Sequence, residues 1–318
     1  MDRRTAERLE PIPVILGPTA VGKSAVAIEV AARIGGEILS ADSRAFFVGL
    51  DLVTDKPTEA ERRGIPHHLI DCVPLCEPYD AMAFRRDVRR LIAEIRGRGR
   101  VPILAGGGTL YLGAVLHGIF EGPAKDEDFR AEMAERDLSA LYGRLESVDP
   151  TAAASIHPND RLRITRALEV YEQTGRPISS WQAEAASLPE AFFLVGLRRR
   201  RDDHRRAIAA RVRRMIDDGL IGELERLRAR GLGPECQAYR TIGVPEGFAF
   251  LEGRCSEREM EEEIVRRTWG LVRRQMAWFR REDGVSWWDV TGRSADDLAG
   301  KIVESWNRRR EASDAGRG

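Results

Sequence analysis

Residues 17–24 read Gly-Pro-Thr-Ala-Val-Gly-Lys-Ser, and this stretch decides the fold. It fits the pattern G-x-x-x-x-G-K-[ST] in full, which is the signature of a loop that cradles phosphate groups. A short apolar run, residues 13–16, comes directly before it, and apolar residues spaced by four follow it, at Val26, Val30 and Ile34. These flanks predict a strand before the loop and a helix after it. Pattern and context together predict a phosphate-binding loop.

Each part of this loop has a physical task in anion binding. The glycines permit a tight turn whose N–H groups point inward, and the start of the helix contributes its dipole. Lys23, one of only four lysines among 51 basic residues, adds a compact positive charge. Ser24 offers a hydroxyl to Mg²⁺, the expected metal cofactor. The predicted phosphate site comprises Gly17, Pro18, Thr19, Ala20, Val21, Gly22, Lys23 and Ser24.

Strand and helix patterns alternate along the rest of the chain. Further strands are predicted at residues 37–40, 101–105 and 192–195, and alternation of this kind is typical of βαβ units in a parallel sheet. The strand pattern is missing from residues 122–190, where Asn159 or Asp160 is expected to cap a helix. We therefore predict an α/β fold, a P-loop NTPase-like parallel sheet with flanking helices (residues 10–121 and 191–318), plus an inserted all-helical subdomain (residues 122–190).

Composition narrows the class of protein. The 318 residues are 42% apolar and 32% charged, enough for a sizeable core, and the net charge of zero does not by itself point to nucleic acid. The spacing of the four cysteines matches no zinc site, so free thiols in a reducing cytoplasm are expected. No run of eighteen apolar residues is present, which predicts a cytoplasmic protein without a membrane segment. A long helix is predicted at residues 256–281, and the tail after Asn307 is expected to fray.

The phosphate compound could be ATP or GTP, as in kinases and NTPases. Such enzymes hold Mg²⁺ with an aspartate at the end of an apolar strand. Asp42 is the only well-placed carboxylate of this kind, and it follows the second predicted strand. The third predicted strand ends in glycines, Gly106 to Gly108, instead of an acid. This weakens the NTPase interpretation without excluding it.

Eight segments taken in order resemble the tRNA dimethylallyltransferase family, also called the IPP transferase family. They extend from about residue 12 to residue 290, and the seventh is long and specific to that family. The segments are GPTAVGKS (17–24), ADSR (41–44), DKP (55–57), IPHHLID (65–71), AFRRDV (83–88), AGGGTLYL (105–112), IHPNDRLRITRALEVYEQTGRPIS (156–179) and RRQMAWFR (273–280).

The resemblance implies a substrate pair and a reaction. The phosphate loop would hold the diphosphate of dimethylallyl diphosphate, and the core and the helical insertion would grip a tRNA anticodon stem-loop. The adenosine 3′ of the anticodon would be flipped out, because a stacked base cannot present its amine to a buried donor. The protein is expected to act as a monomer, with tRNA and dimethylallyl diphosphate as its partners.

The resemblance also assigns the catalytic roles. Asp42 would accept the proton of the adenine amine as the new bond forms. The alternative is a purely structural role, in which Asp42 caps the turn after the strand. Thr109 would hydrogen-bond the amine or a bridging oxygen, or else serve as an ordinary helix N-cap. Lys23, the loop amides and Mg²⁺ on Ser24 would stabilise the leaving diphosphate.

Arginines supply the expected RNA contacts. Arg273 and Arg274 lie on one side of the long helix without an acid four residues earlier, whereas Glu262 and Glu263 can neutralise Arg266 and Arg267. Arg163 and Arg166 are three residues apart on a helix, and Arg130 matches a tRNA-contacting position of the family. The predicted tRNA-binding set is Asp42, Ser43, Arg44, Ala45, Gly108, Thr109, Arg130, Arg163, Arg166, Arg240, Arg273 and Arg274.

Several positions depart from the family pattern. Ala45 lacks the amide that usually follows Asp-Ser-Arg, and Thr109 comes one residue later than the family threonine. Pro245 removes both a donor and a likely helix start, and Trp269 and Gly270 stand where arginine and glutamine are common. Three alternatives stay open: a divergent RNA-binding paralogue with weak or no transfer, which these departures motivate, a small-molecule kinase, and transfer to free adenine nucleotides.

Overall fold

The computed structural model of the chain describes residues 10–185 and 187–315. The described residues form two compact units. The first comprises the chain up to Leu112 together with the chain from Pro189 onward, and the second comprises Gly113–Leu188.

A six-stranded parallel sheet forms the centre of the first unit, in the order β3-β2-β4-β1-β5-β6. This sheet confirms the predicted α/β class. β1 is buried at every position, as expected for a central strand covered on both faces. The strands are β1 (Ile12–Leu16), β2 (Gly36–Ser40), β3 (His67–His68), β4 (Val101–Gly106), β5 (Phe192–Arg198) and β6 (Ser286–Asp289).

Fourteen α-helices lie within the described residues. They are α1 (Lys23–Ile34), α2 (Glu59–Arg62), α3 (Ala81–Gly97), α4 (Thr109–Leu116), α5 (Glu127–Glu135), α6 (Leu138–Val148), α7 (Pro150–Ser155), α8 (Arg161–Thr174), α9 (Ile178–Glu184), α10 (Arg201–Asp217), α11 (Leu220–Ala229), α12 (Val244–Leu251), α13 (Glu257–Phe279) and α14 (Ala295–Ala315). A short 3-10 helix, Gln237–Arg240, precedes α12.

The two edge strands β3 and β6 were not predicted. β3 has only two residues, too few for a hydrophobic period, and its imidazole side chains are not typical of strands. It is held by its neighbour, because Nε2 of His68 lies 2.7 Å from Oε2 of the buried Glu37 in β2. β6 is four residues long and half-buried throughout.

The boundaries of the long helices follow their sequence signals. Asp160 caps α8 by accepting a hydrogen bond from the Arg163 N–H, and Ser256 caps α13 in a capping box with Glu259. Pro245 lies in the first turn of α12, where a proline lacks no needed N–H, so the expectation that it disrupts this helix start is wrong. The expectation of fraying after Asn307 is wrong for residues 308–315, which continue α14, and its remaining part, residues 316–318, lies outside the described residues.

A covalent link corrects the prediction that all cysteines are free thiols. Cys76 and Cys236 form a disulfide across 160 residues of sequence, while Cys72 and Cys255 are free. The fold brings together the loop after β3 and the loop after α11, and sequence spacing cannot reveal such a long-range pair. Within residues 10–185 and 187–315, no helix is long and apolar enough to cross a membrane.

The second unit has a core of its own, and one buried acid organises its polar contacts. The core includes Leu145, Ile164 and Leu168. Glu169 of α8 is fully buried and binds Arg130 through two hydrogen bonds of 2.7 and 2.9 Å, and Arg166 through a third of 2.5 Å. Burial alone would raise the pKa of Glu169, but these hydrogen bonds lower it to about 2.

Replacing Glu169 by glutamine should destabilise the second unit. The change leaves two guanidinium groups without their anion, so we expect the free energy of unfolding to fall by about 3 kcal/mol. Because the pKa of Glu169 lies below its unfolded value of about 4.3, this stabilisation is present above that pH and is lost as the pH falls toward 2. Denaturant titration followed by circular dichroism measures both effects.

Glu172→Gln is the matched control. Glu172 lies on the same helix and pairs with Arg144, but both side chains of that pair are about 40% exposed. Exposed pairs contribute less than about 1 kcal/mol. Equal losses for the two variants would contradict the organising role of Glu169.

Candidate active site

Two glycines give the phosphate loop its shape. Gly22 has a φ of 100° at the N-cap of α1, a conformation that side-chain-bearing residues rarely adopt. At Gly17, a Cβ would lie 2.7 Å from the carbonyl oxygen of Leu197 in β5. The ammonium of Lys23, directly after Gly22, donates a 2.8 Å hydrogen bond to the carbonyl of Pro18, directly after Gly17. The predicted loop therefore lies between β1 and α1, as its sequence pattern indicates.

Three side chains from the C-terminal helices hold Thr19 in this loop. Oε1 of Gln275 accepts a 2.9 Å hydrogen bond from the Thr19 N–H, and Nη1 of Arg211 donates to Thr19 Oγ1 at 2.7 Å. Nε2 of His204 lies 2.8 Å from the Thr19 carbonyl, and burial lowers the pKa of this imidazole. Because a carbonyl oxygen can only accept, the Nε2–H of His204 donates this hydrogen bond. The position of the loop depends on α10 and α13.

Sequence reasoning missed these three residues. Gln275 lies in the quoted RRQMAWFR segment, directly after Arg274, but the segment does not indicate that its side chain binds the phosphate loop. His204 and Arg211 belong to no motif that was singled out. Their long-range contacts, 185 and 192 residues from Thr19, can be found only in the folded chain.

The glycines after β4 leave no room for side chains. A Cβ at Gly106 would lie 2.3 Å from the carbonyl carbon of Ala41, and one at Gly108 would lie 2.6 Å from the Ala41 oxygen. At Gly107, a Cβ would lie 2.7 Å from Nε2 of Gln275, which donates a 2.8 Å hydrogen bond to the Gly107 carbonyl. Backbone atoms of Ala41 therefore leave no room for an aspartate of the Walker type at Gly106 or Gly108, and one at Gly107 would displace Gln275.

Asp42 supplies a carboxylate from the neighbouring strand end. It follows β2, and its Oδ1 accepts a 3.0 Å hydrogen bond from the Arg44 N–H, so it does cap the turn. Its Oδ2 accepts no hydrogen bond from the residues that the structure describes. One oxygen holds the turn and the other remains available, so the turn-cap interpretation and the catalytic one are compatible.

Lys23 is electrostatically coupled to this carboxylate. Burial lowers the pKa of the Lys23 ammonium to about 8, Asp42 acts against this shift, and Arg211 adds to it. An anion placed on the loop would neutralise the two cations and restore the pKa of Lys23. Protonation of Lys23 and binding of an anion to the loop are thus coupled.

Two cavities meet at Asp42. The phosphate cavity, of about 510 Å³, is lined by loop residues including Lys23 and Ser24. The arginine cavity, of about 860 Å³, is lined by residues of α10, α13 and the start of α4. Four residues line both cavities: Thr19, Asp42, Thr54 and Arg211. Among them, Asp42 is the only acid.

The arginine cavity carries a strongly positive lining. Of the described residues around it, nine are arginines and one, Asp42, is an acid. Arg240, Arg273 and Arg274 have no carboxylate partner among residues 10–185 and 187–315, which agrees with the predicted free charge of the last two. The arginines are Arg44, Arg201, Arg205, Arg211, Arg240, Arg266, Arg267, Arg273 and Arg274.

Arg266 and Arg267 are neutralised, but not by the predicted pair of acids. Glu262 pairs with Arg258 instead, and Arg266 pairs with Glu263. Arg267 forms its ion pair with the buried Glu246 of α12. The sequence spacing predicted only contacts within α13 and could not show the one to α12.

The loop residues predicted to contact RNA divide between the two cavities. Ser43, Gly108 and Thr109 line the arginine cavity, whereas Ala45 is buried and borders the phosphate cavity. Gly108 accepts the first hydrogen bond of α4 from Leu112. Thr109 is therefore the first helical residue and not the N-cap. Since no side chain fits at Gly108, Thr109 is the first residue after the β4 glycines that brings a hydroxyl-bearing side chain to the lining of this cavity.

The remaining predicted RNA contacts, Arg130, Arg163 and Arg166, lie in the second unit. Arg130 and Arg166 are bound to Glu169, as described above. The Arg163 side chain is 70% exposed, with Nε 3.4 Å from an oxygen of Asp160. Arg163 is therefore the one of the three whose charge is most open to a phosphate group.

The phosphate cavity suits a magnesium ion that arrives with a phosphate ligand. No group of three or more His, Cys, Asp or Glu side chains within the described residues can hold a metal by itself. The Ser24 hydroxyl and the Asp42 carboxylate line the same cavity, however. Mg²⁺ commonly takes one or two protein oxygens together with phosphate oxygens and waters. The donor set fits that arrangement.

The fold and these cavities define an α/β enzyme with a P-loop anion site, and known proteins give its family. A sequence profile of the IPP transferase family matches residues 45–282. The tRNA dimethylallyltransferase of Geobacillus kaustophilus is 42% identical over 301 residues, or 93% of this chain and 95% of that protein. The one of Halorhodospira halophila is 44% identical over 306 residues, or 93% and 96%. The chain belongs to the IPP transferase family.

Solved structures agree with this assignment. The full-length tRNA isopentenylpyrophosphate transferase of Bacillus halodurans superposes with a TM-score of 0.72 at 34% identity, covering 96% of this chain and 99% of that one. A eukaryotic dimethylallyltransferase acting on tRNA gives a TM-score of 0.78 at 26% identity, with coverages of 89% and 74%. The family and fold class predicted from the sequence are confirmed.

The pKa of Lys23 predicts a pH dependence of anion binding. Above pH 8 the ammonium of the free protein loses its proton, so inorganic diphosphate should bind more weakly, by up to about tenfold per pH unit. In Lys23→Arg the guanidinium stays charged over this range and the decline should be smaller. Calorimetric titration between pH 7 and 9.5 measures it, and ionisation of diphosphate itself affects both proteins equally. Parallel pH profiles for the two proteins would contradict the coupling.

Gln275→Leu should loosen the phosphate loop. The substitution leaves the Thr19 N–H and the Gly107 carbonyl without their partner, and each unsatisfied buried group costs about 1–3 kcal/mol. We expect a lower melting temperature that diphosphate restores only in part. Gln173→Leu is the control, because Gln173 is exposed and makes one weak hydrogen bond of 3.2 Å. Equal melting temperatures for the two variants would argue against this role of Gln275.

Proposed function

We propose that the chain transfers a dimethylallyl group from dimethylallyl diphosphate to the exocyclic N6 amine of the adenosine 3′-adjacent to the anticodon in tRNA, releasing diphosphate. One observation carries the proposal. Asp42 lines both a cavity built on an anion-binding loop and a cavity lined by nine arginines. A carboxylate in that place can serve a reaction between a phosphorylated donor on one side and a polyanionic acceptor on the other.

The donor occupies the phosphate cavity in this proposal. The phosphate loop, Lys23 and Arg211 bind the diphosphate, and they stabilise the charge that gathers on it as the allylic C–O bond breaks. Ser24 would hold Mg²⁺ together with the diphosphate oxygens, and the bound ion supplies further neutralisation of the leaving group. The volume of about 510 Å³ leaves space beside the loop for a short apolar tail.

The acceptor adenine approaches from the arginine cavity. Its amine becomes accessible only when the base leaves the stack, and the cost of unstacking is offset by contacts in the cavity. The N6 nitrogen forms a bond to the allylic carbon, the bond from that carbon to the diphosphate oxygen breaks, and an N6 proton passes to the free oxygen of Asp42. Thr109, which lines the same cavity, offers a hydroxyl to orient the amine.

Arginines carry the expected phosphate contacts of the RNA. Arg240, Arg273 and Arg274 lack carboxylate partners among the described residues, so their charge is available to a nucleic-acid backbone. The second unit, residues 113–188, is proposed to hold the anticodon stem-loop, with Arg163 as its most accessible cation. Arg130 and Arg166 contribute there by holding α8 in place through Glu169.

The kinase alternative lacks support from the site. The backbone of Ala41 leaves no room for a Mg²⁺-binding aspartate at Gly106 or Gly108, and an aspartate at Gly107 would displace the Gln275 side chain that holds Thr19. One observation favours the alternative of a paralogue with weak activity. Alanine at position 45 has no side-chain amide that could read the acceptor base, and its methyl group is buried. The diphosphate site is complete, however, and turnover distinguishes the two hypotheses.

Asp42→Asn tests the proposal directly. Asparagine keeps an Oδ1 that can cap Arg44, but it cannot accept the amine proton. We expect kcat to fall by about 10²–10⁴-fold, with affinity for the stem-loop within threefold (roughly 0.6 kcal/mol) of the original. The assay uses labelled dimethylallyl diphosphate and anticodon stem-loops with or without the adenosine. The exposed Asp283→Asn serves as the control, and an unchanged kcat in Asp42→Asn would reject this role of Asp42.

A further inference from the structure

Trp269 is an aromatic side chain in the wall of the arginine cavity. It lies in α13, between the arginine pairs 266–267 and 273–274, and it is half-buried. The guanidinium carbon of Arg205, from α10, lies 5.0 Å from the centre of its ring. A large ring exposed to a positively charged cavity is not explained by packing of the core.

The ring is held in a fixed position relative to the phosphate loop. The imidazole of His204 meets the indole edge-on, at 5.9 Å between ring centres and an interplanar angle of 86°. His204 in turn contacts the Thr19 carbonyl at 2.8 Å. A base stacked on Trp269 would therefore have a fixed position relative to the phosphate loop that carries the donor.

Gly270 leaves open space next to this ring. A Cβ there would meet only the flexible end of Arg274, at 3.5 Å, so neither the backbone conformation nor packing requires glycine. Glycine inside a helix of 23 residues costs stability relative to residues with a side chain. Because Gly270 has no side chain, the helix surface beside the Trp269 ring has room for a flat ligand.

We infer that Trp269, Arg205 and Gly270 form a stacking site for an unstacked base of the anticodon loop that flanks the adenosine to be modified. The inference rests on the proposed function and extends it to base recognition. Single-stranded RNA bases stack on aromatic rings and on guanidinium planes, and the flanking arginines suit the phosphates on either side. The same chemistry would not favour a protein partner, which would bring no dense negative charge.

Trp269→Ala and Trp269→Phe test the ring. Stacking on an aromatic side chain is worth about 1–3 kcal/mol per base, so Trp269→Ala should raise the Kd for the stem-loop by about 5–150-fold. Trp269→Phe should recover most of that affinity. The KM for dimethylallyl diphosphate and the kcat at saturating stem-loop should stay within threefold of the original (roughly 0.6 kcal/mol). A purely structural tryptophan would change these constants and the melting temperature together.

Gly270→Leu tests the open space even if Trp269→Ala fails to fold. Leucine favours the helix, so the melting temperature should rise, whereas the Kd for the stem-loop should increase at least fivefold (on the order of 1 kcal/mol). Gly300→Leu is the matched control, since Gly300 lies in helix α14 with nothing within 4 Å of its Cβ position and does not line the cavity. It should raise stability without changing RNA affinity.

Abasic substitutions through the stem-loop identify the base. At the stacked position, removal of the base should weaken binding to the original protein and leave binding to Trp269→Ala unchanged. Stem-loop affinities within twofold of the original for both Trp269→Ala and Gly270→Leu would overturn the inference. Because affinity is measured without turnover, that result is distinct from failure of the proposed function, which would appear as absence of transfer by the original protein.

Discussion

Gly106, at the end of β4, and Gly108 lie so close to Ala41, which follows β2, that neither position can carry a side chain. No side chain fits between these two strand ends, since a Cβ at Gly106 would lie 2.3 Å from the Ala41 carbonyl carbon. The constraint determines the chemistry available to the loop. The carboxylate at these strand ends comes from the β2 side, where Asp42 lines both cavities. In the proposed reaction this carboxylate is the proton acceptor for the incoming nucleophile.

The C-terminal helices connect the two cavities mechanically. α13 carries Gln275, which bonds both Thr19 in the phosphate loop and Gly107 after β4, and the same helix presents Arg273 and Arg274 to the arginine cavity. Displacement of α13 by RNA would therefore be transmitted to the loop that holds the donor. One helix therefore contacts the phosphate loop through the buried Gln275 and lines the arginine cavity with Arg273 and Arg274.

Local patterns in the sequence were sufficient for the fold class, the phosphate loop and the placement of Asp42. Each depends on residues close together in the chain, namely a strand, a glycine loop and a cap. The contacts that sequence reasoning missed are long-range. The Cys76–Cys236 disulfide, the anchoring of Thr19 by Arg211, and the Arg130–Glu169 ion pair join residues 39 to 192 positions apart.

Charge patterns were informative only where no distant partner intervened. The free charge predicted for Arg273 and Arg274 agrees with the structure, because no acid of another element reaches them among the described residues. Helical spacing within α13 did not predict the partner of Arg267, because that partner, Glu246, lies in α12 and 21 residues away. A helical spacing rule sees one helix and cannot see the neighbour that packs against it.

A structure of the protein with an anticodon stem-loop and a dimethylallyl diphosphate analogue whose allylic oxygen is replaced by sulfur tests the central claim most directly. The account predicts the diphosphate on the phosphate loop, and the N6 amine of the unstacked adenine within hydrogen-bonding distance, about 3 Å, of Oδ2 of Asp42. An adenine whose amine lies away from Asp42, or a diphosphate bound outside the phosphate loop, would contradict it.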